Sequence, residues 1–429
     1  MTTRSGPAPS EIGLSSLEFW ALPVEEREAA FAELRARGRP AFFPEVPVPF
    51  VRPGKGFYAL VRHADVSEAS RHPDIFSSEP SATSIPDFPA YMERFFGSLI
   101  NMDDPRHSKI RRVVSRAFTP KMLARTEEDV RRRAARIVDE LIETGPGDFV
   151  AKVAVRLPAE VICAMLGIPE REYPRVVERT NVILGNTDPE YTGITPGRLG
   201  RASAARALFK IIWAARDLHR LAAGLGRQRA QNPTGDLTSA LVSANVDGER
   251  LTARELGSFF LLLAVAGNET TRTALSHALK LFTDFPGQRA LLLEDFEGRI
   301  GGAVEEIVRY STPVIFMRRN LTRDHEMNGH TYRAGDKVLL FYNSANRDET
   351  VFERPDVFDI TRDPNPHVGF GGPGPHFCLG ANLARREITV MLRELFTRLP
   401  DIRAAGEPDR LLSGFINGYK RLPCTFTAR

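Results

Sequence analysis

The 429-residue sequence predicts a mainly α-helical protein with small β-sheets, folded as one continuous unit. Three observations lead there. From about Thr119 the chain is mostly amphipathic helix, broken at "LGIPERE", "GNTDPEYTG" and "QNPTGD", where Gly, Pro and Asn supply the stops. Leu251 to Pro286 reads as one long helix, with Thr252 and Glu255 forming a capping box and Pro286 ending it. After Pro313 the pattern turns to strands, and "HEMNGHTYRAGDKVLLFY" is hairpin material around an Asn328-Gly329 turn.

Taken from the start, "MTTRSGPAPSEIG" has neither an apolar core nor a cleavage pattern, so residues 1–15 are expected to be a disordered tail and 16–429 the folded domain. The first third mixes short strand candidates such as "GFYALVRH" with Pro-rich loops. Within it, "SSEPSATSIPDFPAYMERFFGSLI" reads as a mobile wall of a pocket. The longest apolar run, Phe259 to Ala266, is too short to span a bilayer, so an integral membrane protein is not expected. An apolar content of 42% with 26% charged residues suits a globular chain with a sizeable core.

Cys163, Cys378 and Cys424 lie far apart with no C-x-x-C pair. That argues against disulfide scaffolds, zinc ribbons and iron–sulfur clusters, and for a reducing, cytoplasmic location. The formal charge is only +4. Arg111-Arg112, Arg131-Arg132-Arg133 and Arg385-Arg386 read first as solvated helix faces and second as a basic docking surface. No basic stretch is interleaved with stacking aromatics, so no nucleic-acid partner is expected.

Two stretches do not fit plain packing. The middle of the long helix, "LLLAVAGNETTRTAL", puts Gly-Asn-Glu-Thr-Thr into an apolar run. Gly costs about 1 kcal/mol relative to Ala there, and a buried carboxylate needs a partner. Thr hydroxyls can bond preceding carbonyls, so a local widening of the helix that holds water and passes protons is expected. The small residues Ala266 and Gly267 would let something flat lie against the helix, although close helix packing accounts for them equally well.

The second stretch is "GFGGPGPHFCLGANLARR", where glycines and prolines crowd around Cys378 just before a helix. Gly371, Gly372, Gly374 and Gly380 let amides approach the sulfur, Pro373 and Pro375 stiffen the loop, and a helix N-terminus favours a thiolate. Taken alone, three readings stay open: a buried inert cysteine, a cysteine nucleophile beside His376, and a haem thiolate.

The loop resembles the haem-binding signature of cytochrome P-450, and three further motifs follow in the family's order. "AGNET" is similar to its long-helix motif, "AVEEIVR" supplies E-x-x-R as Glu306 and Arg309, and "MDDPRHSKIRR" supplies H-x-x-x-R as His107 and Arg111. The resemblance implies the cytochrome P-450 fold, an α-rich domain with a smaller β-rich region, holding one haem b. It implies that Cys378 ligates the iron, and that His107, Arg111, Arg319 and His376 bind the propionates. By the same resemblance, Glu269 and Thr270 deliver protons to dioxygen, and Ala266 and Gly267 face the oxygen and substrate side. Glu306 and Arg309, joined by Arg362, would brace the cysteine loop. One departure stands out: the family's Phe seven residues before the cysteine is Gly371 here, with Phe370 one position earlier. Either Phe370 packs beside the sulfur through a shifted loop, or that contact is absent.

The implied activity is oxygen insertion into an unactivated C–H bond. With no Rossmann fingerprint in the chain, electrons from NAD(P)H would arrive through a ferredoxin and its reductase, docking on the arginine clusters of a monomer. "SLEFWAL", "VVSRAFTPK", "FLLLAVAGNETTR" and "GFGG" are most similar to an actinobacterial branch acting on methyl-branched fatty acids, isoprenoid lipids or the cholesterol side chain. Terminal hydroxylation of a branched or isoprenoid lipid is the expectation, with a steroid side chain as the alternative. A peroxide-driven haem-thiolate enzyme, a haem sensor and a cysteine hydrolase stand further off.

Overall fold

The computed structural model describes residues 13–427, apart from 53, 97, 116–119, 194–200 and 245–249. The long helix predicted around "AGNET" spans Ala253–Asp284, about 48 Å at 1.5 Å per residue. Its start is fixed as expected. Thr252 N–H donates to Glu255 Oε2 at 2.9 Å, and Glu255 N–H donates to Thr252 Oγ1 at 3.2 Å. Pro286 opens the next helix and ends this one.

This central helix is buried on nearly all sides because two groups of helices share it. Along its C-terminal half, Leu275, Leu279 and Phe282 pack with Val130 and Ile137 of helix Pro120–Thr144. Ile307 of Phe296–Ser311 and Met391 and Leu395 of Ala381–Arg398 join the same core. Along its N-terminal half, Phe259 and Phe260 meet Cys163 and Leu166 of Arg156–Leu166, Val176 of Tyr173–Leu184, and Leu218 and Ala222 of Arg201–Gln231.

The β-rich part is a five-stranded sheet in the order Ala41–Phe43, Phe57–Leu60, Lys337–Phe341, Phe316–Leu321, Phe76–Ser77. "GFYALVRH" supplies its second strand, which pairs parallel with the third, Tyr58 opposite Val338. All other pairs are antiparallel. A parallel pair requires a crossover, and here the crossover is the helical part of the chain. The Asn328-Gly329 turn joins His325–Met327 to His330–Tyr332 as predicted, with φ of 56° and 66°.

Three expectations are corrected. The expected tail of residues 1–15 does not extend that far: Leu14 is fully buried with Phe19 and Phe31, its carbonyl accepts from Trp20 Nε1 at 2.9 Å, and Ser15 Oγ donates to Pro44 O. One apolar side chain anchors the entry of the chain; residues 1–12 lie outside the described residues. The expected mobile wall is tied down, because Arg318 donates to Ser84 O and Ile85 O at 3.2 Å and pairs with Asp87. The "AGNET" stretch is unbroken α-helix, without the local widening. No helix among the described residues is long and apolar enough to cross a membrane.

Candidate active site

The cysteine loop is closed by its own backbone. Cys378 N–H donates to Phe370 O at 2.9 Å, Gly371 N–H to Val368 O at 2.9 Å, and Phe377 N–H to Gly374 O at 3.1 Å. Gly374 has φ of 148°, and a β-carbon there would stand 2.1 Å from Ser70 O, so only glycine fits. The loop is thus seated on helix His63–Arg71. The Gly380 and Ala381 amides bond the half-buried Cys378 sulfur and Arg111 and Arg385 act on it, but burial outweighs them and raises the thiol pKa. The amides at the helix N-terminus thus favour the thiolate, as expected, and burial opposes them. A metal cation against the sulfur is what would deprotonate it.

Phe370 sits one residue early and still belongs to the loop. Its carbonyl closes the turn, and its ring lies 4.5 Å from the Arg385 guanidinium carbon.

Beside the loop the structure gathers His107, Arg111, Arg319 and His376. The two imidazole rings stand 4.2 Å apart. Burial, then the Arg319, His107 and Arg111 charges, push the His376 pKa down to about 2. His107 Nδ1 lies 3.4 Å from Asp104, while its buried Nε2 has no partner. Arg111 donates to Phe377 O at 2.6 Å, and Arg319, 4% exposed, donates to Arg318 O. Among the described residues neither guanidinium has a carboxylate within ion-pair distance. Buried cationic groups without counter-charge are costly, and two carboxylates of one ligand would satisfy them. The donor set fits the two propionates of a haem whose iron meets Cys378.

On the central helix each side chain of Asn268-Glu269-Thr270-Thr271 has a partner, although the buried Asn268 Oδ1 has none. Asn268 Nδ2 donates to Thr180 Oγ1 at 3.4 Å, and Thr270 Oγ1 to Ala266 O at 2.8 Å. Glu269, 3% exposed, pairs with Arg272 at 3.0 Å. Arg272 also donates to Asn181 Oδ1 and Tyr419 O, tying the acid to two other segments. Ala266 is exposed and Thr270 half-buried on this otherwise buried helix, so this face is open. Gly267 points elsewhere: a β-carbon there would stand 3.3 Å from Ile162 Cγ1, so its smallness serves packing on helix Arg156–Leu166.

The family model for cytochrome P450 matches residues 54–399. This chain belongs to the cytochrome P450 family. It is 48% identical over 97% of its length to the methyl-branched lipid omega-hydroxylase of Mycobacterium tuberculosis, covering 95% of that protein. It is 38% identical over its whole length to the steroid C26-monooxygenase of Mycolicibacterium smegmatis, covering 96% of it. A Mycobacterium marinum cytochrome P450 in complex with pseudoionone superposes with a TM-score of 0.91 at 43% identity, over 97% of this chain and 98% of that one.

In this P450 the expected brace is in place. Glu306 and Arg309 are fully buried and joined by two bonds of 2.7 Å, with Arg362 at 3.2 Å and Asn365 Nδ2 at 3.1 Å completing the carboxylate. The neighbouring Glu305 binds Arg385 and His367, which hold its pKa down to about 2 against the opposing effect of burial. Arg386 pairs with Glu127, which also takes Arg131, while Arg132 and Arg133 pair with Asp129. Most of the anticipated basic surface is therefore internally neutralised.

Sequence reasoning missed two residues. Arg272 was signalled by its i,i+3 spacing from Glu269. Glu387, on the helix after Cys378, is 2% exposed and hydrogen-bonded to Thr271; burial raises its pKa from 4.5 to about 8. Nothing local announces a buried acid there.

Proposed function

We propose that this P450 monooxygenase hydroxylates the terminal methyl of methyl-branched or isoprenoid lipids. The observation that carries the substrate reading is the 48% identity over nearly the whole chain with a methyl-branched lipid omega-hydroxylase. In this reading Cys378 ligates the haem iron, with Gly380 and Ala381 amides on the sulfur, and His107, Arg111, Arg319 and His376 hold the propionates. Bound haem supplies the reduction of dioxygen and the oxidation of the C–H bond. Overall, R–H, O2, two electrons and two protons give R–OH and water.

The chain's own contribution is orientation and protons. Ala266 and Thr270 present the open face of the central helix, and the Thr270 hydroxyl offers a proton there once it turns away from Ala266 O. Glu269 is the acid behind it. For Oε2 to pass a proton it must leave the Arg272 guanidinium, so proton delivery and that ion pair are linked. Electrons come from NAD(P)H through a ferredoxin and its reductase, to a monomer in the cytoplasm, where the three free thiols stay reduced.

The test is turnover of the haem-loaded protein with ferredoxin, reductase and NADH on branched fatty acids, isoprenoids and sterols, with products located by mass spectrometry. Terminal alcohols from branched chains are expected. Products from sterols alone would move the assignment to the steroid reading, which the 38% relative favours. Activity with peroxide but none with the reductase system would overturn the dioxygen route.

A further inference from the structure

Helix Arg201–Gln231 buries Ala215, Leu218, Ala222 and Leu225 against Phe259 and Phe260 of the central helix. Its opposite face is not the polar face a solvated helix presents. At spacings of three and four, Arg206, Phe209, Lys210, Trp213, Arg216 and Arg220 are all exposed, with Phe209 at 69% and Trp213 at 45%. Isolated exposed aromatics are ordinary, but two large rings at i and i+4 inside a cationic stripe form a patch.

The charge of that stripe is not offset from within the helix. The single acid of the 31 residues is Asp217. It is buried and gripped by Arg175 at 2.5 Å and Arg179 at 3.0 Å from the neighbouring helix Tyr173–Leu184. Among the described residues, none of Arg206, Lys210, Arg216 and Arg220 is paired with a carboxylate. Arg179 also lies 4.0 Å from the Trp213 ring centroid, fixing the indole on one side while its edge stays outside.

We propose that this face of helix Arg201–Gln231 is a peripheral docking surface for an anionic lipid bilayer. Rigid aromatic rings enter the interface between headgroups and acyl chains while flanking Lys and Arg meet lipid phosphates. An acidic protein would match the cations but gives no reason for the rings to be set outward between them. Docking would lay the bilayer over the helix that packs on Phe259 and Phe260 of the central helix. It does not depend on which lipid is oxidised and is read without turnover.

The experiment is co-sedimentation of the haem-loaded full chain with vesicles of phosphatidylcholine, or of phosphatidylcholine mixed with phosphatidylglycerol, some carrying brominated acyl chains. Sedimentation should require phosphatidylglycerol, weaken with salt, and fall about tenfold or more in Phe209→Ser and in Lys210→Glu. Bromolipids should quench tryptophan emission, and Trp213→Phe should remove that quenching, since the only other tryptophan, Trp20, is 6% exposed. An unchanged haem absorption band and melting temperature show that the variants fold. Absence of sedimentation, equal binding to neutral vesicles, or indifference to both substitutions would overturn the proposal. So would salt-dependent binding of polyglutamate at this face without bromolipid quenching, which would assign it to an acidic protein.

Discussion

Two groups of buried charge flank the cysteine loop, and they are built on opposite plans. On one side Glu306, Arg309, Arg362 and Asn365 answer one another, and Arg309 further donates to Asn346 O at 2.8 Å and Pro355 O at 2.9 Å. On the other, beside His107 and His376, Arg111 and Arg319 have no carboxylate within ion-pair distance among the described residues, and the one acid at His107, Asp104, is 57% exposed. The same loop thus separates a network completed by the chain from one that only a ligand completes. Buried polar groups are normally satisfied, so where satisfaction stops is itself information about binding.

The largest effect that would break this contrast is on the closed side. Arg309→Ala should cost about 3–5 kcal/mol of unfolding free energy, because Glu306 is left buried with only Arg362 and Asn365. Denaturant titration measures it; a loss below about 1 kcal/mol would mean the network is not the brace described here.

Another buried acid, Glu387, tests whether burial without a cation behaves differently again. Its pKa is raised from 4.5 to about 8 by burial, so the folded chain keeps a proton that the unfolded chain releases above about pH 4.5. Its contribution to stability is therefore intact below that pH and is lost progressively as pH rises toward 8. With about 1.4 kcal/mol per pKa unit, Glu387→Gln should gain a few kcal/mol over the wild type by pH 8 and almost nothing near pH 4.5. Parallel unfolding curves at those two pH values decide it.

The open side predicts a change of sign. Arg319→Met should stabilise the haem-free chain by about 1–2 kcal/mol, since a buried unpaired guanidinium disappears, while weakening haem retention by about tenfold or more. Melting of the haem-free protein and haem transfer to apomyoglobin report the two halves. The smallest effect belongs to the surface: Arg131→Gln breaks a pair with Glu127 whose side chains are 60% and 34% exposed, and should move stability by under about 0.5 kcal/mol.

Much of this was legible from residue patterns. The capping box at Thr252, the Asn328-Gly329 turn and the crowded glycines before Cys378 are local devices whose geometry follows from residue type. The Glu306–Arg309 pair was expected through the family resemblance, since E-x-x-R by itself says little. What could not be read depends on distant partners. Glu387 became a buried acid only when the central helix was laid against it, and Arg385 and Arg386 lost their open charge to Glu305 and Glu127. The strand at Phe57–Leu60 was visible, but its parallel neighbour at Lys337–Phe341 comes from nearly three hundred residues away. Leu14 looked like part of a tail because one apolar residue gives no periodicity.

The contact between Gly374 and the Ser70 carbonyl bears on how the molecule comes into being. The sulfur-bearing loop leaves the ribosome about three hundred residues after the seat it rests on. Nascent chains that stop before Cys378 have the seat without the ligand, so cofactor capture must wait until that residue has been added.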